Sequence, residues 1–191
     1  MALTFLTKPK LVKNPVKRCM GIDQSTKATG IVLADSSKDM DAPEVIEHIL
    51  LKPKTTWTLY DKQVFMWEGI MAAIEEYAPD LTCLEGYGMN LRRPTAIIPL
   101  VGLGEVLRYL LRQQGKTFIE PKPTQVKQFA TGKGNADKPK MISTAKKQGF
   151  KTDDDNLADA FFLSHLGLGY LNVLRHLSAE QREIIGQLKA F

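Results

Sequence analysis

The hydrophobic pattern of this chain changes period near residue 58, and that change dictates what it can fold into. Before it, three short apolar segments follow one another with brief polar breaks: 18–23 (RCMGID), 29–34 (TGIVLA) and 44–51 (EVIEHILL). A small-residue turn joins the first two, and a polar loop at 36–43 leads to the third. Segments of this length and composition read as strands, and such short connections make them antiparallel. After the change, Val64, Trp67, Ile70, Met71 and Ile74 recur at helical spacing within 59–77, and Pro79 stops the helix. A short strand at 80–85, a helix at 95–114 ending at Gly115, and a strand at 117–120 follow. Helices from 124, at 138–148 and at 154–175 come next, and Ser178 caps a last one with Glu180 and Gln181 in its first turn.

At 191 residues the chain supports one well-cored domain rather than two large ones. A hydrophobic fraction of 43% with 25% charged residues is that of a globular protein. No apolar run approaches the roughly 20 residues of a membrane span, and the first residues lack the pattern of a secretion signal. Cys19 and Cys83, the only cysteines, fall in apolar strands and read as core thiols, which suits a reducing cytoplasm. The net charge of +5 is unevenly distributed. Residues 1–18 carry five basic residues and no acid, and 116–151 carry nine lysines against Glu120 and Asp137. The remainder is acidic, a balance that suits a protein holding metal ions and polyphosphate together. We read 1–17 as a basic arm, 18–176 as the main domain and 177–191 as a C-terminal helical extension.

Four carboxylates stand out. Asp23 ends one apolar segment and Glu85 another, while Asp155 and Asp159 lie four apart, on one face of a helix. Carboxylates delivered by strand ends and a helix start can meet in one place. Hard divalent cations take such oxygen ligands, and two of them can clamp the attacking and leaving oxygens of a phosphodiester. Each acid also has an ordinary reading. Asp23 could cap the turn after its strand, and acids in a helix's first turn favour its dipole. Asp159 sits deeper, ahead of Ala160, Phe161 and Phe162, where an unpaired carboxylate needs a reason. A lysine positioned at such a site can stabilise developing phosphorane charge, and the 116–151 segment offers Lys127 and Lys138 among others. Tyr87 could stack on an unpaired base, and Arg92, Arg93 and Lys133 are candidate DNA contacts. His165 reads as a packing residue.

Four blocks carry a family resemblance: GIDQSTKATGIVL at 21–33, CLEGYGM at 83–89, PTQVKQFATGKGNADKPKM at 123–141 and DDDNLADAF at 153–161. In their order they resemble RuvC-type Holliday-junction resolvases, particularly the bacteriophage-encoded branch. The element order βββ-α-β-α-β-α-α is similarly that of the ribonuclease H-like fold, an α/β architecture with a five-stranded mixed sheet flanked by helices. The resemblance implies that Asp23 bridges two metal ions, Mg²⁺ with Mn²⁺ as substitute. Glu85 and Asp159 would join it as ligands, and Lys127 and Lys138 would match the family's lysines. It leaves the fourth ligand open between Asp155 and Asn156. In this chain Gly88 stands where such resolvases often carry an aromatic residue.

What the resemblance implies is a cytoplasmic endodeoxyribonuclease, in a bacterial or phage-infected cell, acting as a homodimer on four-way DNA junctions. Paired nicks would leave 5′-phosphates and 3′-hydroxyls. Three rivals remain in view. One is an RNA-processing nuclease of the YqgF type. Another is an actin- or sugar-kinase-like ATPase domain, since GIDQSTKATG also resembles a phosphate motif, though this chain is too short for the duplicated domain. The third is a DNA-structure binder without catalysis.

Overall fold

The structure, a computed structural model, describes residues 16–37, 42–88 and 94–191. The basic arm, apart from Val16 and Lys17, and both Arg92 and Arg93 lie outside the described residues.

The element order matches the pattern of periods. β1 (Arg18–Asp23), β2 (Thr29–Asp35) and β3 (Glu44–Leu51) come first, then α1 (Leu59–Tyr77), β4 (Leu81–Leu84) and α2 (Pro94–Gln113). The chain continues as β5 (Phe118–Ile119), α3 (Pro123–Thr131), α4 (Lys138–Lys147), α5 (Asp155–Tyr170) and α6 (Ala179–Gly186). The five strands form one sheet in the order β3-β2-β1-β4-β5. β1 runs antiparallel to β2, and β2 to β3, while β4 lies parallel to β1 and β5 parallel to β4. Three hairpin-joined strands extended by helical crossovers define the ribonuclease H-like sheet, as the segment order implied.

Strand alternation sends side chains to two cores. Met20, Ile22, Ile31, Leu33, Leu84 and Phe118 pack against α1 and α2 through Ile70, Ile74, Leu107 and Leu111. Cys19, Val32, Ala34, Leu81, Cys83 and Ile119 face the other way, onto α5 with α3, α4 and α6. Both cysteines are free and buried. Burial on both faces explains why β1, β2 and β4 are nearly continuous apolar runs, whereas the edge strand β3 is largely exposed.

α5 is the central helix, and its N-terminal boundary is built by Asp154. That side chain accepts from the backbone N–H of Asn156 at 3.0 Å and of Leu157 at 3.3 Å, satisfying donors the first turn leaves free. Two glycines let α5 lie directly on the sheet. A β-carbon on Gly21 would fall 2.1 Å from the Ala160 carbonyl oxygen, and one on Gly30 would fall 2.3 Å from that of Asn156. Only residues without a side chain fit where helix backbone meets strand backbone.

The helix ends at Tyr170, five residues before the expected 175, and Asn172 turns the chain in a left-handed conformation at φ 57°. α6 begins at Ser178 with the expected cap, reinforced by Gln181, and buries Ile184 against the α5 face. Beyond it Ala190 pairs with Ile119 in an antiparallel bridge, covering the β5 edge. No helix among the described residues is long and apolar enough to cross a membrane.

Candidate active site

The register of β1 and β4 places two of the carboxylates. Ile22 pairs with Leu84 across the parallel ladder, so the residues that follow, Asp23 and Glu85, leave the same edge of the sheet side by side. Alternation turns both toward the α5 face, since Gly21 and Cys83, two residues earlier, face that helix. The backbone holds the second strand end closely: Glu85 N–H donates to Ile22 at 3.1 Å and Gly86 N–H to Pro121 at 2.9 Å. α5 then brings Asp155 and Asp159, one turn apart, over the strand ends. The glycines at 21 and 30 are what permit this approach.

These acids feel one another strongly. The Asp23 carboxyl is raised well above its usual range, first by burial and then by the charges of Glu85, Asp159 and Asp155. Burial and Asp159 lift Glu85 to about 7, while its hydrogen bond with Asp23 and the charge of Lys127 pull the other way. Asp159 rises to about 6, chiefly through burial, with Asp155 adding to the effect and Lys127 and Lys138 opposing it. The structure therefore gathers Asp23, Glu85, Asp155, Asp159, Lys127 and Lys138 into one electrostatic unit. Lys127 comes from α3 and Lys138 from the start of α4, where Asp137 caps the helix.

Three consecutive acids ahead of α5 have separate tasks. Asp153 is exposed and pairs with Lys146, Asp154 caps the helix, and Asp155 forms an ion pair with Lys138. Asn156 donates from its amide to Asp154 at 3.2 Å, and its backbone lies over Gly30. The Asp155 charge adds to the field at Asp23 and Asp159.

The donor set fits a hard divalent cation: all its members are carboxyl oxygens, and Asp159 Oδ1 is buried without a hydrogen-bond partner. Among the described residues no group of three or more acidic, His or Cys side chains forms a ready-made coordination shell. Asp23 and Glu85 crowd each other at the strand ends, and Asp155 is paired with Lys138.

The remaining candidates are dispersed. Lys133 is exposed on the α3–α4 turn, after Gly132 at φ 75°. Tyr87 is partly buried: Arg108 lies over its ring at 4.4 Å from the centroid, and its hydroxyl contacts the Val101 carbonyl at 3.1 Å and Glu105 at 3.0 Å. Arg108 itself had no sequence signal, because Tyr87 and Glu120 meet it from 21 and 12 residues away, outside its own helix. His165 is a packing residue as read, tilted against Phe161 at 4.0 Å and kept low, at about 4, by burial.

Acidic residues at the carboxyl ends of two adjacent strands, faced by a helix bearing two more, define a ribonuclease H-like protein with a carboxylate centre. The chain is 29% identical over 133 residues to the crossover junction endodeoxyribonuclease RuvC of Aliarcobacter butzleri, covering 68% of this chain and 82% of that one. No protein-family model matches it. Its fold is similar to Thermus thermophilus RuvC solved with a Holliday junction substrate, at TM-score 0.66 and 16% identity, covering 92% of this chain and 99% of that one. The yeast mitochondrial Holliday junction resolvase Ydc2 matches at TM-score 0.59 and 13% identity, over 90% and 81% of the two chains. By sequence and fold together, the chain is similar to RuvC.

Proposed function

We propose that this protein is a metal-dependent endodeoxyribonuclease that resolves four-way DNA junctions by paired symmetric nicks. The observation that carries the reading is the convergence of Asp23, Glu85, Asp155 and Asp159 at the ends of two neighbouring parallel strands, with Lys127 and Lys138 beside them. Asp23, Glu85 and Asp159, with Asp155, would hold two Mg²⁺ ions, for which Mn²⁺ can substitute. Bound there, the metal supplies a Lewis acid that activates water and stabilises the leaving 3′-oxygen.

The chain's own residues do the rest. The carboxylates fix where the scissile phosphate must sit. Lys127 and Lys138 hold positive charge at the same place, opposing the repulsion between the acids and the incoming phosphate. The lysine-rich 116–151 segment and the basic arm track phosphates further out, so binding weakens steeply with salt. Products carry 5′-phosphates and 3′-hydroxyls. Cutting two strands symmetrically calls for two sites related by a two-fold axis, hence a homodimer. Exposed Leu59 and Tyr60 on α1, and Ile98 and Tyr109 on α2, support pairing through these helices. The enzyme would work in the cytoplasm of a bacterial or phage-infected cell.

The test uses end-labelled four-way junction, matched linear duplex and structured RNA with Mg²⁺ or Mn²⁺, comparing wild type with Asp23→Asn. Paired nicks confined to the junction and lost in the variant are expected. Cleavage of RNA, or of all DNA substrates equally, would move the protein to another nuclease branch. Cleavage undiminished in Asp23→Asn would remove the carboxylate mechanism.

A further inference from the structure

Glu85 stands ahead of a segment with glycines on both sides of Tyr87, a backbone with little stiffness of its own. Something outside the segment must therefore fix it, and the described residues show what does. The Tyr87 hydroxyl receives a hydrogen bond from Arg108 Nη1 at 2.6 Å and lies within reach of Val101 and Glu105 on α2. The Arg108 guanidinium also covers the tyrosine ring. Its other nitrogens, Nε and Nη2, donate to Glu120, which follows β5. The Arg108 side chain is only 11% exposed and that of Glu120 21%, so removing either partner would leave the other's charge shielded and uncompensated.

The same point on α2 reaches the other carboxylate strand. A β-carbon on Gly104 would fall 2.3 Å from the Tyr87 hydroxyl, 2.4 Å from Arg108 Nη1 and 2.8 Å from Gln24 Oε1. Gln24, next to Asp23, is buried and donates through Nε2 to the Glu85 carbonyl at 3.1 Å. Its Oε1 has no hydrogen-bond partner, so the side chain is held there by packing and that one bond. The residues after β1, β4 and β5 thus converge on a bare patch of α2 centred on Gly104.

We infer that Tyr87, Arg108 and Glu120 form a clamp that sets the position of Glu85 relative to Asp23, making Tyr87 and Arg108 positioning residues for metal binding. This rests on the carboxylate-site reading above. The clamp assigns Tyr87 to contacts within the protein, where its hydroxyl matters. A tyrosine that served by stacking on a base would need only its ring.

The experiment measures Mn²⁺ affinity of the full-length protein by calorimetry, together with junction affinity in EDTA and cleavage as a function of Mn²⁺. Tyr87→Phe keeps the ring and removes the hydroxyl; Arg108→Met removes the guanidinium. Loss of about tenfold or more in Mn²⁺ affinity in both variants is expected. Half-maximal cleavage should move to correspondingly higher Mn²⁺, with junction affinity in EDTA unchanged. Arg108→Lys should not rescue, because an ammonium cannot bridge Tyr87 and Glu120 as a planar fork does. Should Arg108→Met fail to fold, Tyr87→Phe decides alone. Wild-type Mn²⁺ affinity in Tyr87→Phe, or weakened junction binding with metal affinity intact, would overturn the clamp. If wild type binds Mn²⁺ but cuts no junction, the proposed function fails while the metal titration still judges the clamp. If wild type binds no Mn²⁺, both fall.

Discussion

Replacing Glu85 by glutamine should stabilise the metal-free protein while destroying its activity. Glu85 is lifted from 4.5 to about 7, so below pH 4.5 it is neutral in both folded and unfolded chains and costs nothing. As pH rises through that interval the unfolded chain ionises first, and stability is lost until the folded group ionises too. At about 1.4 kcal/mol per pH unit, the loss at neutral pH is about 3 kcal/mol. The glutamine of Glu85→Gln keeps the shape, cannot ionise, and can donate an N–H to Asp23. In EDTA near neutral pH the variant should melt about 6–12 °C above wild type, given about 2–4 °C per kcal/mol in a domain of this size. The advantage should vanish near pH 4.5, and it should shrink or reverse when Mg²⁺ or Mn²⁺ is added, because a cation stabilises only the ionised site. Thermal unfolding followed by circular dichroism, in EDTA and in metal at both pH values, reads all of this. A variant that melts no higher than wild type in EDTA at neutral pH, or whose advantage is the same at both pH values, would refute buried like charge as the cause.

Gly21→Ala should cost about 3 kcal/mol or more, because its methyl meets the Ala160 and Ser164 backbone; a wild-type urea midpoint would show that α5 does not rest on β1. His165 titrates at about 4 when folded against 6.5 otherwise. Between these values only the unfolded chain takes the proton, so this residue removes about 3 kcal/mol as pH falls through the interval. Glu85 and Asp159 act oppositely over much of the same range, so the effect is read as a difference: His165→Gln should gain stability over wild type as pH falls from 6.5 toward 4, and parallel curves would exclude it. Lys138→Ala should leave the melting temperature near wild type, since the side chain is exposed. It should slow junction cleavage about tenfold or more, and an unchanged rate would remove Lys138 from the site.

The architecture was legible because periodicity is a local signal. β3 and α1 fall on their expected residues, and the acids were visible because each ends or enters an apolar element. Whatever depends on long-range geometry was not visible. Arg108 looks like any lysine or arginine on a helix face until β5 and the segment after β4 arrive beside it. Tyr87 invited a base-stacking role because sequence shows an aromatic residue near an acid but not the guanidinium covering its ring. Continuing apolar residues extend the sequence pattern of α5 to 175, yet a left-handed Asn172 stops the helix sooner. The bridge between Ala190 and Ile119 involves one residue pair and leaves no period to read.

The glycines under α5 bear on how such a chain can diverge. The separation between the β1 carboxylate and the α5 carboxylates is set where helix main chain rests on strand main chain, with no side chain in between. Substitutions in the hydrophobic layers above and below can accumulate, and the helices there can drift to accommodate them, without altering that spacing. The spacing of the site then rests on a main-chain contact that only glycine at 21 and 30 permits. It can persist while nearly every surrounding residue is exchanged.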